Sequence, residues 1–412
     1  MERRVVITGM GAITPIGNNV EKFWNGIKKG ECGIDKITKF NTEKFKVKLA
    51  GEVKGYNPEE YFDKKESKRL ARFSQFAIIA AREAVKNADI DIKKIDPNRF
   101  GVIVSSGIGA LGTIEEQVTN YINKGPDRVS PMYIPMSITN MAAGNVAIDI
   151  GAKGESYSMV TACASGTHSI GESYRMIKHG YQDLVLAGGT EASITPTGIA
   201  GFMNLKALSQ SIDKTRASIP FDKERNGFVM GEGAGVLVLE ELEHAKKRKA
   251  KIYAELVGYA ANSDAYHITS PAPNGEGGAR AMKLALEDAK IRPEDVTYIN
   301  AHGTSTHLND VCETMAIKET FKEASKKVMV SSTKGHTGHL LGAAGGVEAI
   351  ICVKAIEENF VPATINYKVP DEECDLDIVP NKPRKQEVNI AISNSLGFGG
   401  HNSTIVLKKY EG

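Results

Sequence analysis

Cysteine pairs are missing from this 412-residue chain. Its five cysteines (Cys32, Cys163, Cys312, Cys352 and Cys374) are odd in number and widely spaced, and none belongs to a C-x-x-C. That excludes a disulfide framework and a cysteine-built structural zinc site, and it points to free thiols in a reducing compartment. A strong charge of one sign is missing too. A formal net charge of +2 gives no ground for nucleic-acid binding, although a weakly positive surface favours an acidic partner. No apolar run reaches the roughly 18 residues that span a bilayer. The opening MERRVVITGMGAITPIG has too short an apolar stretch for a secretory signal and passes straight into a strand-like run. There is no low-complexity tract and no linker rich in Pro, Gly or Ser. A cytoplasmic protein with neither a nucleic-acid nor a membrane partner is expected.

What is present is mixed α/β. Strand-like runs occur at Arg4–Thr8, Phe100–Ser105, Leu184–Ala187, Gly235–Glu240, Thr297–Asn300, Val328–Ser331, Val388–Ser393 and Thr404–Leu407. Helical periodicity is clear at Arg72–Ala88, Gly166–Lys178, Gly278–Ala289 and Gly346–Glu357. Alternating strands and helices predict buried sheets covered by helices. The 41 glycines cluster beside the β-rich runs, as tight strand-to-helix turns require. Two pairs of segments repeat. AREAVKNADIDIKKIDPNRFGVIVSSGIG matches RAMKLALEDAKIRPEDVTYINAHGTST, and MVTACASGTHSIGESYRMIK matches VSSTKGHTGHLLGAAGGVEAIICVK. Two related halves, 1–252 and 253–412, are expected to meet about a pseudo-twofold and to build one site between them.

Four segments carry reactive groups. Cys163 follows a strand-like run and opens a helix, among Ala162, Ala164, Ser165 and Gly166. Most free cysteines are small buried hydrophobes. This one sits as a nucleophile elbow does, and the helix dipole is expected to lower its pKa. His302 and His339 end strands where the chain turns, which is where α/β sheets build their sites. As neutral imidazoles there they would stabilise a developing enolate. His336, His307 and His168 lie close in sequence, but their spacings fit no common zinc pattern. Lys334 and Glu348 flank His339. Exposed they would be ordinary solvated charges; buried they would tune their neighbours. In N-S-L-G-F-G-G-H-N, glycines around Phe398 make a gate over a pocket a better reading than a plain turn.

Together T-A-C-A-S-G, N-A-H-G-T-S-T, K-G-H-T-G-H-L-L-G-A-A-G and G-F-G-G-H-N resemble the β-ketoacyl-acyl carrier protein synthases of the thiolase superfamily, especially the elongating type II. The likeness runs over nearly the whole chain, from V-V-I-T-G-M-G-A-I-T-P-I-G through P-F-D-K-E-R-N-G-F-V-M-G-E-G-A-G. It implies a duplicated five-layer αβαβα fold, a homodimer, and acyl carrier protein as the partner in its acyl and malonyl forms. It implies Cys163 as acyl carrier, with His302 and His339 assisting decarboxylation. The Cys163 and Phe398 amides would form the oxyanion hole, with Phe398 also gating and Lys334 and Glu348 a supporting pair. Ile108 would end the acyl pocket, and Thr304, Thr306 and Gly399 would contact substrate. Lys65, Lys68, Arg69 and Lys206 would dock the carrier protein. No cofactor is implied beyond the carrier's own phosphopantetheine. Some family members hold a sodium or potassium ion, for which the matching positions are Asn300, Ala301, Glu348, Ser393 and Asn394.

The sequence departs from many relatives at Leu396 (phenylalanine), His401 (threonine) and His307 (proline), none of them in the Cys–His–His set. Other activities fit less well. G-M-G-A-I-T-P-I-G lacks dinucleotide spacing and an acidic ribose ligand. A thiolase would place a second cysteine near Gly397–His401, where none stands. A polyketide subunit shares the reactive set, and a non-catalytic chain-length partner would lack Cys163.

Overall fold

The computed structural model describes residues 3–412. Ten strands form the main sheet: β1 (Val5–Ile13), β2 (Phe100–Ser105), β3 (Ser156–Tyr157), β4 (Leu184–Glu191), β5 (Gly233–Glu241), β6 (Ala254–Ser263), β7 (Tyr298–Asn300), β8 (Met329–Ser331), β9 (Ile390–Gly397) and β10 (His401–Lys408). Their order is β8-β7-β9-β10-β6-β1-β5-β4-β2-β3. Each strand of the first five has a counterpart five places later, at the same distance from the centre. The pairing senses match as well. β2–β4 and β7–β9 are parallel, whereas β4–β5 and β9–β10 are antiparallel. The two sets join only where Val5–Ile7 of β1 meets Ala254–Leu256 of β6.

Six helices complete the frame: α1 (Arg72–Asn87), α2 (Leu111–Lys124), α3 (Ser165–Lys178), α4 (Glu276–Ala289), α5 (His307–Phe321) and α6 (Ala344–Glu358). α1 packs on β1 and β5 at one outer face, and α4 packs on β6 and β10 at the other. α3 and α6 lie between, touching each other and strands of both halves. The result is the five-layer αβαβα arrangement. α6 is buried at 12 of its 15 residues and apolar nearly all round, as a central helix must be. α1 approaches β1 closely because Gly9 and Gly11 lack side chains. A Cβ on either would come within 2.3 and 1.9 Å of the Ala84 and Ala80 carbonyls.

The two central helices begin alike. A 3-10 turn, Ala162–Ala164, precedes α3, and its match, Leu341–Ala343, precedes α6. Ala162 (φ 50°) and Leu341 (φ 49°) both adopt the left-handed conformation. That conformation costs an ordinary residue about 1–3 kcal/mol and persists only where surrounding packing imposes it. The helices touch through glycine, since a Cβ on Gly166 would lie 2.9 Å from Gly342 O and Gly346 N. These contacts set the reactive ends of the two halves side by side.

Candidate active site

The Cys163 turn is tied down locally. Ser165 donates its hydroxyl to the Ala162 carbonyl (2.7 Å) and accepts from the Thr161 amide (3.0 Å). Gly397 of β9 presses on the same turn. A Cβ there would meet Thr161 O at 2.7 Å and the Cys163 amide at 3.4 Å. The next residue, Phe398, therefore presents its backbone N–H to the Cys163 sulfur, alongside the N–H of Cys163 itself. Two amides aimed at one point are the donors an oxyanion needs.

The second half delivers the bases. Cys163 Sγ and a ring nitrogen from each of His302 and His339 all lie within 4.8 Å of one another. The two imidazoles meet edge to face at 5.2 Å. Both are buried, and His302 Nδ1 and both His339 nitrogens have no hydrogen-bond partner among the described residues. Burial holds both histidines well below the usual imidazole range, and the Lys334 charge pushes in the same direction. They are neutral at pH 7 and free to donate or accept toward a substrate. A zinc-ligating histidine normally gives its second nitrogen to a carboxylate or carbonyl; these buried nitrogens have no such partner. Of the other histidines, His336 is buried against the Glu31 and Ala363 carbonyls, His168 bonds Ala164 O, and His307 is exposed beside Glu373.

Lys334 is fully buried and contacts both the His302 carbonyl and Glu348 Oε1. Glu313, on α5, accepts from the His302 and Gly303 amides at 2.8 and 2.7 Å. Burial pushes its carboxyl up to about 7. The motif reading missed Glu313, which nothing in the sequence sets apart: the helix that follows H-G-T-S-T buries Asp310, Thr314 and Thr320 as well.

A cavity of about 400 Å³ opens above these groups. Ile108, Phe202, Phe228, Leu341 and Leu396 give it an apolar wall. An aromatic series crosses it, Phe398–Phe202 (6.3 Å), Phe202–Phe228 (5.4 Å) and Phe228–His339 (5.4 Å). Thr304 and Thr306 line its polar side, their hydroxyls 2.9 Å apart, and exposed Lys206 stands at its mouth. Gly399 is not in the lining; it turns outward at φ 86°, its amide bonded to Ile268 O. Lys65, Lys68 and Arg69 are exposed on and just after the short helix Lys64–Ser67, apart from the cavity lining.

One expectation fails. The thiol of Cys163 is not acidified: burial pushes it up to about 12, against the downward pull of Lys334 and the two amides. The sulfur sits in an apolar pocket two residues before α3. Loss of water there outweighs the helix dipole, which acts mainly on charges within the first turn. The resting group is the thiol, so its proton must leave as the sulfur attacks.

Residues 2–245 match the family model for the β-ketoacyl synthase N-terminal domain, and residues 253–368 match the model for its C-terminal domain. The chain belongs to the β-ketoacyl synthase family. It is 55% identical over 409 residues to the 3-oxoacyl-[acyl-carrier-protein] synthase 2 of Staphylococcus aureus strain COL, covering 99% of each chain. It is 51% identical over 411 residues to the enzyme of that name from Synechocystis, covering 100% of this chain and 99% of the other. Among solved structures, a type II polyketide ketosynthase in complex with its acyl-carrier protein aligns over all of both chains. That likeness has a TM-score of 0.93 at 38% identity.

Proposed function

We propose that this β-ketoacyl synthase elongates fatty acyl chains by a decarboxylating Claisen condensation between an acyl group on Cys163 and malonyl-acyl carrier protein. The observation that carries the reading is the convergence of Cys163 Sγ with His302 and His339 beneath two backbone amides. In the first half-reaction the Cys163 sulfur attacks the thioester carbonyl of the acyl carrier. The oxyanion forms against the Cys163 and Phe398 amides, and a neutral histidine takes the thiol proton. The carrier's thiolate leaves and receives that proton.

In the second half-reaction malonyl thioester enters past Phe398. Its carboxylate leaves as carbon dioxide, and the bonding pair becomes an enolate whose oxygen accepts from His302 and His339. The enolate carbon attacks the acyl carbonyl, the C–S bond breaks, and the departing cysteine thiolate takes a proton from solvent. The product is a β-ketoacyl thioester two carbons longer. Thr304 and Thr306 bond the phosphopantetheine arm, and Ile108 faces the acyl end. Lys65, Lys68, Arg69 and Lys206, none with an ion-pair partner among the described residues, steer the acidic carrier.

Three further parts belong to this reading. The halves divide at 252/253. Val118, Tyr121 and Ile122 of α2, with Ile134, Ile138 and Ile148, expose apolar side chains, which supports a homodimer through that face; the location proposed is the cytoplasm. Buried Asn300 Oδ1, Glu348 Oε2 and Ser393 Oγ lack partners, which fits hard-oxygen coordination of a sodium or potassium ion beside Ala301. The Asn394 side chain is already engaged with Thr404 and Glu313. When bound, such an ion would supply fixed positive charge to the Glu348 carboxylate. A polyketide ketosynthase would use the same three residues; the higher identity to the 3-oxoacyl synthases favours fatty-acid elongation.

The test is Cys163→Gln, a neutral mimic of the acylated state. The folded variant should decarboxylate malonyl-acyl carrier protein without condensing it. No decarboxylation from a folded variant would sink the role given to the histidines.

A further inference from the structure

Glu191 ends β4, and the reaction above gives it nothing to do. Its carboxylate is fully buried, has no cation beside it, and is ringed by four donors. Oε1 accepts from the hydroxyls of Ser106 and Ser193, each at 2.9 Å. Oε2 accepts from the backbone amides of Gly107 (2.9 Å) and Gly342 (3.2 Å). A buried carboxylate without a counter-ion is costly, and four hydrogen bonds are the compensation that lets it persist.

The donors come from both halves. Gly342 occupies in the second elbow the place Cys163 occupies in the first, the middle of the matching 3-10 turn. Gly107 follows β2 and abuts Gly342 so tightly that a Cβ on Gly342 would lie 2.2 Å from the Gly107 amide. The neighbours of these glycines are Ile108 and Leu341, two walls of the cavity above Cys163. Ile108 is bracketed. The Gly107 amide before it bonds Glu191, and the Gly109 amide after it bonds Ser106 Oγ (2.9 Å), which in turn bonds Glu191. Ser193 donates to the same carboxylate oxygen as Ser106, but its hydroxyl holds no backbone of the cavity wall.

We infer that Glu191 is a positioning residue that fixes the gap between Ile108 and Leu341, and so sets which acyl lengths the enzyme accepts. The inference rests on the acyl route past Ile108 given above. Loss of the clamp frees the Ile108 segment, so long chains gain relative to short ones.

The experiment measures kcat/KM for acyl-carrier proteins of graded acyl length in four variants, with thermal melts alongside. Ile108→Phe is the reference for the route and should cut off long chains. If it leaves the profile unchanged, the acyl route itself is wrong. Ser106→Ala and Ser193→Ala each remove one hydroxyl donor from the same carboxylate oxygen, at comparable loss of stability. Ser106→Ala should raise the long-to-short ratio by about fivefold, the weight of one hydrogen bond; Ser193→Ala should leave it unchanged. Glu191→Gln can turn its amide oxygen to the two backbone donors and its NH2 to the serines, so it should keep the wild-type ratio. With Ile108→Phe behaving as expected, equal ratios in the two serine variants, or uniform loss at every length, would reduce Glu191 to a structural role and overturn the inference.

Discussion

Replacing Lys334 by methionine tests the buried charge network most sharply. The lysine keeps its stem volume as methionine but loses the ammonium that contacts Glu348 and the His302 carbonyl. In buffer free of sodium and potassium, Glu348 is left buried with its second oxygen unpartnered among the described residues. Removing one member of a buried pair typically costs 3–5 kcal/mol, because the other charge stays uncompensated. With roughly 2.1 cal/mol/K per residue of unfolding entropy, 412 residues give about 0.9 kcal/mol/K. A loss of about 4 kcal/mol then lowers Tm by about 5 °C. The double variant Lys334→Met/Glu348→Leu removes both charges and should recover most of that loss, since apolar replacements of buried pairs are commonly neutral. Condensation should not recover. Without the lysine charge, the pull that favours the Cys163 thiolate is gone and both histidine pKa values rise toward the ordinary range. The assay is a melt at fixed protein concentration with acylation kinetics beside it. A single variant that loses under 1 kcal/mol, or a double variant no better than the single, would refute the reasoning.

Gly397→Ala should slow acylation by tenfold or more, as on the order of 1.4 kcal/mol of misplacement gives, because its Cβ meets Thr161 O at 2.7 Å; single-turnover acyl transfer reads this directly. His336 is buried with its pKa lowered to about 4 by loss of water. The unfolded chain binds the extra proton first, so stability is fully present above pH 6.5 and falls from there toward pH 4, by about 3 kcal/mol for this residue. His302 and His339 shift the same way, so urea titrations of His336→Gln should show a shallower, not a flat, acid dependence. Lys206→Glu should raise KM for the carrier protein with little change in kcat, and its effect should shrink at high salt. Ile122→Lys should break the homodimer, as sedimentation velocity would show.

The sequence made the reactive set legible because each member stands beside residues that fix its backbone. Ala162 and Gly166 bracket the cysteine, and glycines follow both His302 and Phe398. It also exposed the duplication, which the structure repeats down to the left-handed residues Ala162 and Leu341. β6 was harder to see. Ala254–Ser263 reads AELVGYAANS, and alanine and glycine favour neither a strand pattern nor a packed face. The structure explains them by close approach. A Cβ on Gly258 would lie 2.4 Å from Ala285 O of α4, so small residues there answer to the helix above. α5 escaped notice for a related reason: its buried positions are largely polar, including Asp310, Glu313, Thr314 and Thr320, so no apolar stripe marks it. Glu191 and Glu313 were invisible as site residues because most of their partners are backbone amides, and a serine two residues on, Ser193, marks no site by itself. The acidity of Cys163 was misjudged because a helix start shows in the sequence, whereas the apolar walls that dehydrate the sulfur come from five separate segments.

The central claim is that Cys163 carries the growing chain. Intact-protein mass spectrometry after mixing with acyl-acyl carrier protein, then with malonyl-acyl carrier protein, tests it directly. The account predicts an acyl adduct on Cys163, absent in Cys163→Ala, that disappears as a β-ketoacyl carrier two carbons longer appears. Condensation persisting in Cys163→Ala, or no adduct at any chain length from the folded protein, would contradict it.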